Sequence, residues 1–406
     1  MDDAARTAAK TRAWAEIDAR RDEAVSLFAD LVRIPSPNPP GGGEKDVAAY
    51  CKRYLDALGA RVDQHEFQEG RVNNVALLPG RTGERTLMFV SHLDTTPITE
   101  EGWTYPPLGA TIVDGWLYGR GSNNMKVGLA AAMFAQRIVH DLGIPLDGNV
   151  ASVHSADEMN GGWVGLGELT RRDLLKADYA IYTEAHPRFP ALRIEIAVRG
   201  TIEIKLRTGG HGTVFGAVRV NAIEKMGGVL LRLASMEFSD WKPTDWQPDP
   251  IGKVPPTVST SYIHAWRGHV LAPDRCDAIV AISYFPPQTL DGILAEVGRL
   301  IDELRAADPE LAIDWELDRH WEQASTPPDH IIAQASQRAV EEATGQRLEF
   351  GASTAPSDMR WVVGPAGIPT AKVCFGSETA DADERQNLDD YIRTIKVYAG
   401  LIVDLT

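Results

Sequence analysis

Basic residues are in short supply in this chain: 41 lysines and arginines face 57 aspartates and glutamates, a formal net charge of -16. That imbalance argues against nucleic acid or an anionic membrane surface as a partner, since both attract clustered positive charge. Cysteine is scarcer still, three among 406 residues. Cys51, Cys276 and Cys374 lie far apart, with neither a paired metal spacing nor a disulfide framework, so a reducing cytoplasm is the expected compartment. No apolar run approaches the roughly 20 residues of a membrane span, and Met1-Asp-Asp-Ala-Ala-Arg6 lacks a signal-peptide apolar core. Internal repeats and low-complexity tracts are absent as well. What remains is the composition of a soluble globular protein, 44% hydrophobic and 24% charged, and its length points to two domains.

Trp14, Ile17, Val25, Phe28, Leu31 and Val32 mark one face of a helix from about Arg12 to Val32, stopped by Pro35-Ser-Pro-Asn-Pro-Pro-Gly-Gly-Gly43. A second helix is expected from Lys45 to Leu58, capped by Gly59. Strands are expected at Val62–Phe67, Asn74–Leu78, Thr86–Val90, Asn149–Ser155 and Tyr179–Thr183, with a helix at Lys126–His140. Polar residues recur at the carboxyl ends of these strands, which predicts an α/β fold. Its sheet is a mainly parallel open one flanked by helices, with the site at those ends. After Arg193 the pattern changes: Ile194–Leu206 alternates polar and apolar residues, as a half-exposed antiparallel strand does. Helices near Asn221–Ser235 and Leu290–Ala306 complete an inserted α+β domain over residues 197–324. The first domain then comprises residues 1–196 and 325–406. Its last part holds a helix through Thr344 closed by Gly345, a strand at Thr370–Phe375 and a helix at Leu388–Leu405.

His92 and Asp94 stand two residues apart at the end of the Thr86–Val90 run, so on a strand both side chains leave one face. A carboxylate so placed can hold one imidazole nitrogen while the other faces a metal. Further motifs follow in order: Leu117-Tyr-Gly-Arg-Gly121, Ala156-Asp-Glu158, Gly210-His211, Val220-Asn-Ala-Ile223 and Ser357-Asp-Met-Arg360. With Ser91-His-Leu-Asp94 they resemble the zinc-dependent amidohydrolase family of acetylornithine deacetylase, succinyl-diaminopimelate desuccinylase, carboxypeptidase G and aminoacylase, over nearly the whole chain. The resemblance implies a catalytic domain interrupted by a lid that mediates a homodimer. It implies His92 and Glu184 as metal ligands, Asp94 as the carboxylate orienting His92, and Glu158 as general base. His211 corresponds to the lid histidine that stabilises the oxyanion in the neighbouring subunit's site. Asn221, in register with Gly210-His211, and Arg199 are the candidates for binding substrate.

The expected metal site departs from the family pattern of two ions. Asn124 stands at the bridging aspartate, Met159 at a ligand of the second ion, and Ala380 at the terminal histidine. A neutral asparagine offers one usable carbonyl oxygen where a carboxylate offers two. A thioether suits neither zinc nor manganese beside carboxylates. The expected cofactor is one divalent metal ion, Mn or Zn, held by His92, Glu184 and Asn124 with positions open to water or substrate. Asp381 and His186 are candidates to replace a lost ligand. Ala281-Ile-Ser283 replaces the lid Asp-x-Arg whose arginine contacts a substrate carboxylate in relatives, so recognition is expected to differ from the amino-acid deacetylases.

These features predict a hydrolase that cleaves a C–N bond of a small carboxylate-bearing substrate, with Glu158 taking a proton from water. Amide hydrolysis is what the resemblance implies first. A depleted ligand set leaves open replacement of an aromatic amine by hydroxyl, as in nitroanthranilate aminohydrolases. A non-catalytic small-molecule binding protein on the same fold is the reading from another class.

Overall fold

The computed structural model describes all residues except 39–42, 100, 186–191, 212–219, 240–255, 266–272, 286–287, 354–356 and 377–381. The chain forms two compact units. One comprises Met1–Ala197, Ser325–Ala352 and Ser357–Thr406, and the other is mainly Val198–Ala324.

The first unit is built on a sheet that has nine strands among the described residues. Its centre is parallel, in the spatial order Asn149–Ser155, Thr86–His92, Tyr179–Tyr182 and Thr370–Lys372. Antiparallel strands flank it, Arg71–Leu78 and then Arg61–Gln68 on one side and Ile194–Val198 on the other. The sheet is therefore mixed overall, and parallel where the candidate site lies. Both faces of its centre are covered. From Thr86–His92, Leu87 and Phe89 enter a large core with helices Lys126–Asp141 and Leu388–Leu405. Met88 and Val90 enter a smaller core with Leu166, Leu169, Met359 and Val362. Burial on both faces is why this strand reads as an unbroken apolar run. Helix Lys126–Asp141 comes close to the sheet through Gly128, where a Cβ would stand 1.7 Å from the carbonyl oxygen of Thr183.

Two expectations change. The helix expected from about Arg12 to Val32 is two helices, Asp3–Ala19 and Arg21–Arg33. Arg20 leaves helical geometry at φ -104°, ψ 26°, and its guanidinium binds Glu23 and Asp141 instead of continuing a regular face. The single alternating strand expected at Ile194–Leu206 is likewise two. Ile194–Val198 is buried throughout and joins the large sheet, whereas Gly200–Gly209 belongs to the second unit.

The second unit is a four-stranded antiparallel sheet in the order Thr257–His264, Arg275–Tyr284, Gly200–Gly209 and Ile313–Trp321. Helices Ala222–Ala234 and Leu290–Ala307 share a core with Ile202, Ile204, Leu206, Val280 and Ile282. One covered face explains the alternation along Gly200–Gly209. No helix among the described residues is long and apolar enough to cross a membrane.

Candidate active site and metal centre

Three neighbouring parallel strands each deliver one donor at the carboxyl end, where ligands of open α/β sheets gather. His92 closes Thr86–His92, Glu158 follows Asn149–Ser155, and Glu184 follows Tyr179–Tyr182. One ligand atom from each of the three lies within 4.8 Å of the others. Asn124 joins them, its Oδ1 2.9 Å from His92 Nε2.

His92 Nδ1 is 2.9 Å from the backbone carbonyl oxygen of Asp94 and 3.5 Å from Asp94 Oδ1. The strand ends at His92, so its two-residue period does not carry the Asp94 carboxylate squarely onto the ring. That carboxylate is spent chiefly elsewhere: Oδ1 accepts from the Glu158 N–H at 3.1 Å, and Oδ2 from Met159 N–H at 3.0 Å and Asn38 Nδ2 at 2.8 Å. Asp94 thereby holds the turn that carries Glu158. Preceding it, Asp157 has φ 74° and is held from behind, with Arg71 Nη1 3.1 Å from its Oδ1 and the Val164 N–H donating to its Oδ2 at 3.1 Å. Arg71 also binds Glu44 through Nε and Nη2, at 2.7 and 2.6 Å. All three of these groups are buried.

The Asn124 turn is fastened by a residue from the far end of the chain. Buried Glu384 accepts from the N–H groups of Gly121, Asn123 and Asn124 at 2.8–2.9 Å and from Arg120 Nη1 at 3.0 Å. Four donors on one carboxylate tie this turn to the end of the chain, beyond the turn's own Ser122–Gly119 and Lys126–Gly121 backbone bonds.

Charge is crowded here. Burial disfavours a proton on His92, but Glu158, Asp94 and Glu184 outweigh it and push the imidazole up to about 10. Burial pushes Glu158 up to about 7, opposed by His92 and reinforced by Glu184 and Asp94. Both ring nitrogens face carbonyl oxygens, Nε2 that of the Asn124 side chain and Nδ1 that of the Asp94 backbone. His92, Glu158 and Glu184 form a group whose nitrogen and carboxylate donors fit a divalent ion. Among the described residues no second group of three His, Cys, Asp or Glu gathers in this way.

The remaining candidates sit in the second unit. His211 is exposed, its backbone N–H donating to the Val220 carbonyl at 2.9 Å. Asn221 caps helix Ala222–Ala234, its Oδ1 accepting from the Ile223 N–H at 3.0 Å while its Nδ2 donates to Glu224 at 3.2 Å. Arg199 is half-buried, and its Nε has no hydrogen-bond partner among the described residues. Ala380, Asp381 and His186 lie outside the described residues. Sequence reasoning missed Asn38, Glu384 and above all Lys372 and Glu195. A signal existed for the last two, since a lysine within Thr370-Ala-Lys-Val-Cys-Phe375 and a glutamate within Ile194-Glu-Ile-Ala-Val198 interrupt apolar strands. Charged residues in such places are almost never buried without a partner.

A profile of peptidase family M20/M25/M40 matches residues 88–404. The chain belongs to that family. Among its M20 relatives is the N-formyl-4-amino-5-aminomethyl-2-methylpyrimidine deformylase of Halalkalibacterium halodurans, 30% identical over 317 residues, 73% of this chain and 70% of that one. A succinyl-diaminopimelate desuccinylase of Hydrogenovibrio crunogenus is 23% identical over 395 residues, 94% of this chain and 99% of that one. The solved structure of a dinuclear metal-binding M20 peptidase from Bacillus subtilis shares the fold, with TM-score 0.71 at 14% identity, covering 95% of this chain and 98% of that one. M20 membership makes this chain a metal-dependent amide hydrolase.

Proposed function

We propose that the chain hydrolyses the amide bond of a short acyl group on a small carboxylate-bearing molecule, using one divalent ion, Mn or Zn. The observation that carries this reading is the convergence of His92, Glu158 and Glu184 from three adjacent strand ends. His92, Asn124 and Glu184 are the ligands in this reading. A divalent ion there supplies Lewis acidity to the acyl oxygen and acidifies water. Glu158 accepts the water proton and returns it to the leaving nitrogen. Its position near pKa 7 suits both directions of transfer. Asp94 keeps Glu158 in place through the Glu158 and Met159 N–H groups. His211 serves as oxyanion donor in the site of a second subunit, and Arg199 and Asn221 take the substrate's polar groups. The relatives named for removing formyl and succinyl groups favour an acyl amide over a ring amine as the bond cleaved.

The test is a screen of N-formyl, N-acetyl and N-succinyl amines, dipeptides and aminobenzoates, with Mn²⁺ or Zn²⁺. On the substrate found, Glu158→Gln is expected to lower kcat by roughly 10²–10⁴, the contribution of a general base. Metal content should stay at one equivalent by elemental analysis. Turnover at the parental rate would remove Glu158 from the mechanism, and two equivalents of metal would overturn the single-ion reading.

A further inference from the structure

A lysine inside a sheet needs a partner, because an isolated buried ammonium loses its proton instead of staying charged. Lys372 ends strand Thr370–Lys372 and is 3% exposed. It stands between strands Tyr179–Tyr182 and Ile194–Val198, in register with Tyr182 on one side and Glu195 on the other. Its Nζ donates to Glu184 Oε2 at 2.7 Å and lies 3.1 Å from Glu195 Oε2. Ser357 Oγ donates to the same Glu184 oxygen at 3.3 Å. Both contacts fall on Oε2, while one carboxylate oxygen of Glu184 lies within 4.8 Å of donor atoms of His92 and Glu158. Two carboxylates within 3.1 Å of Nζ give the buried ammonium the partners it needs.

We propose that Lys372 is a resident cation of this centre, which competes with a divalent ion for Glu184 and sets how tightly that ion is held. The proposal rests on the reading above, in which Glu184 is a ligand of that ion. An ammonium on one oxygen of a carboxylate repels a dication on the other, and the repulsion is strong because both are buried. It also draws charge away from the ligand oxygen. Glu195 moderates this by taking a share of the ammonium. Asn124 and Met159 stand where the resemblance implies carboxylate ligands, and Lys372 sets a positive charge against Glu184. Fewer anionic ligands and a cation on Glu184 act in the same direction, towards one ion held with moderate strength.

The signs of two substitutions separate this role from a merely structural one. A lysine that only props up the ligands would weaken metal binding when removed. A competing cation, when removed, tightens it. We therefore expect Lys372→Met to bind Mn²⁺ or Zn²⁺ roughly 10-fold or more tightly than the parent, the scale on which groups behind a metal ligand act. Glu195→Gln, which leaves the ammonium to Glu184 alone, should bind several-fold more weakly. Lys372→Arg keeps the charge and should stay close to the parent. Affinities come from equilibrium dialysis with elemental analysis and from calorimetry, and melting with and without metal reports folding. If Lys372→Met is too unstable to isolate, Glu195→Gln decides alone. Weaker or unchanged binding by Lys372→Met, or tighter binding by Glu195→Gln, overturns the proposal while leaving the ion site standing. If the parent binds no divalent ion, the single-ion reading itself falls, and this role of Lys372 with it.

Discussion

At the scale of single residues, His92 is the group whose state an ion must change. Its imidazole sits at about 10, so at neutral pH it carries a proton that a metal ligand cannot keep. Binding therefore expels that proton, and affinity rises with pH up to about 10, where the ring is already neutral half of the time. Calorimetry at pH 7 in buffers of different ionisation enthalpy should show about one proton released per ion from His92, with a further fraction from Glu158, which sits at about 7. In His92→Ala the ion and most of the proton release should disappear together. Pure metal uptake with no proton released would remove His92 as a ligand. Asp94 stands beside the ring, as its spacing suggested, with Oδ1 3.5 Å from His92 Nδ1. It has a second task that spacing did not show, since its oxygens also accept from the Glu158 and Met159 N–H groups.

At the scale of elements, the site depends on how closely a helix approaches the strand ends. Gly128 places helix Lys126–Asp141 against the Thr183 carbonyl, one residue before Glu184. In Gly128→Ala the new methyl would overlap that backbone oxygen, so helix or strand must move. Overpacking of this kind costs about 1–3 kcal/mol, and here the movement reaches a proposed ligand. The variant is expected to melt earlier and to bind Mn²⁺ more weakly, measured by calorimetry and equilibrium dialysis. An unchanged melting temperature and affinity would show that the strand end yields freely. Much at this scale was readable from sequence. Strand Asn149–Ser155, helix Leu388–Leu405 and the Gly59 and Gly345 caps lie where periodicity and turn chemistry put them, because local rules govern them. His92, Glu158 and Glu184 were singled out by the resemblance, and the structure brings one donor atom of each within 4.8 Å of the others. Strand neighbours were not readable. Lys372 meets Glu184 across 188 residues of chain, and no local pattern reports which strands lie side by side. The two strands within Ile194–Leu206 escaped for a related reason: alternation shows one covered face, not which sheet supplies it.

At the scale of the molecule, the second unit carries apolar groups that single-chain packing leaves uncovered. Ile223 and Leu231 lie on one face of helix Ala222–Ala234, and Leu231 is 74% exposed. Between them, a Cβ on Gly227 would meet nothing within 4 Å. Tyr262 and Ile263 are exposed on Thr257–His264, an edge strand among the described residues. Unpaired edges are templates for pairing with another chain. The expected outcome is a homodimer by size-exclusion chromatography with light scattering, converted to monomer by Leu231→Arg. A fully active monomeric parent would refute it, and with it the role of His211 in a partner's site.

The clamp of Glu384 on the Asn124 turn spans 260 residues, so the order of synthesis decides when the turn can close. At roughly 5–20 residues per second, translation delivers that carboxylate on the order of ten seconds to a minute after Asn124 leaves the ribosome. Lys372 arrives in the same late stretch, while the contiguous insert Val198–Ala324 has emerged complete before either. From the emergence of Glu184 until that late stretch, the nascent chain carries His92, Glu158 and Glu184 with neither the fastened amide nor the ammonium beside them. The clamp on the turn and the ammonium both come late in synthesis, and a chain stopped before residue 372 would hold the three donors with neither.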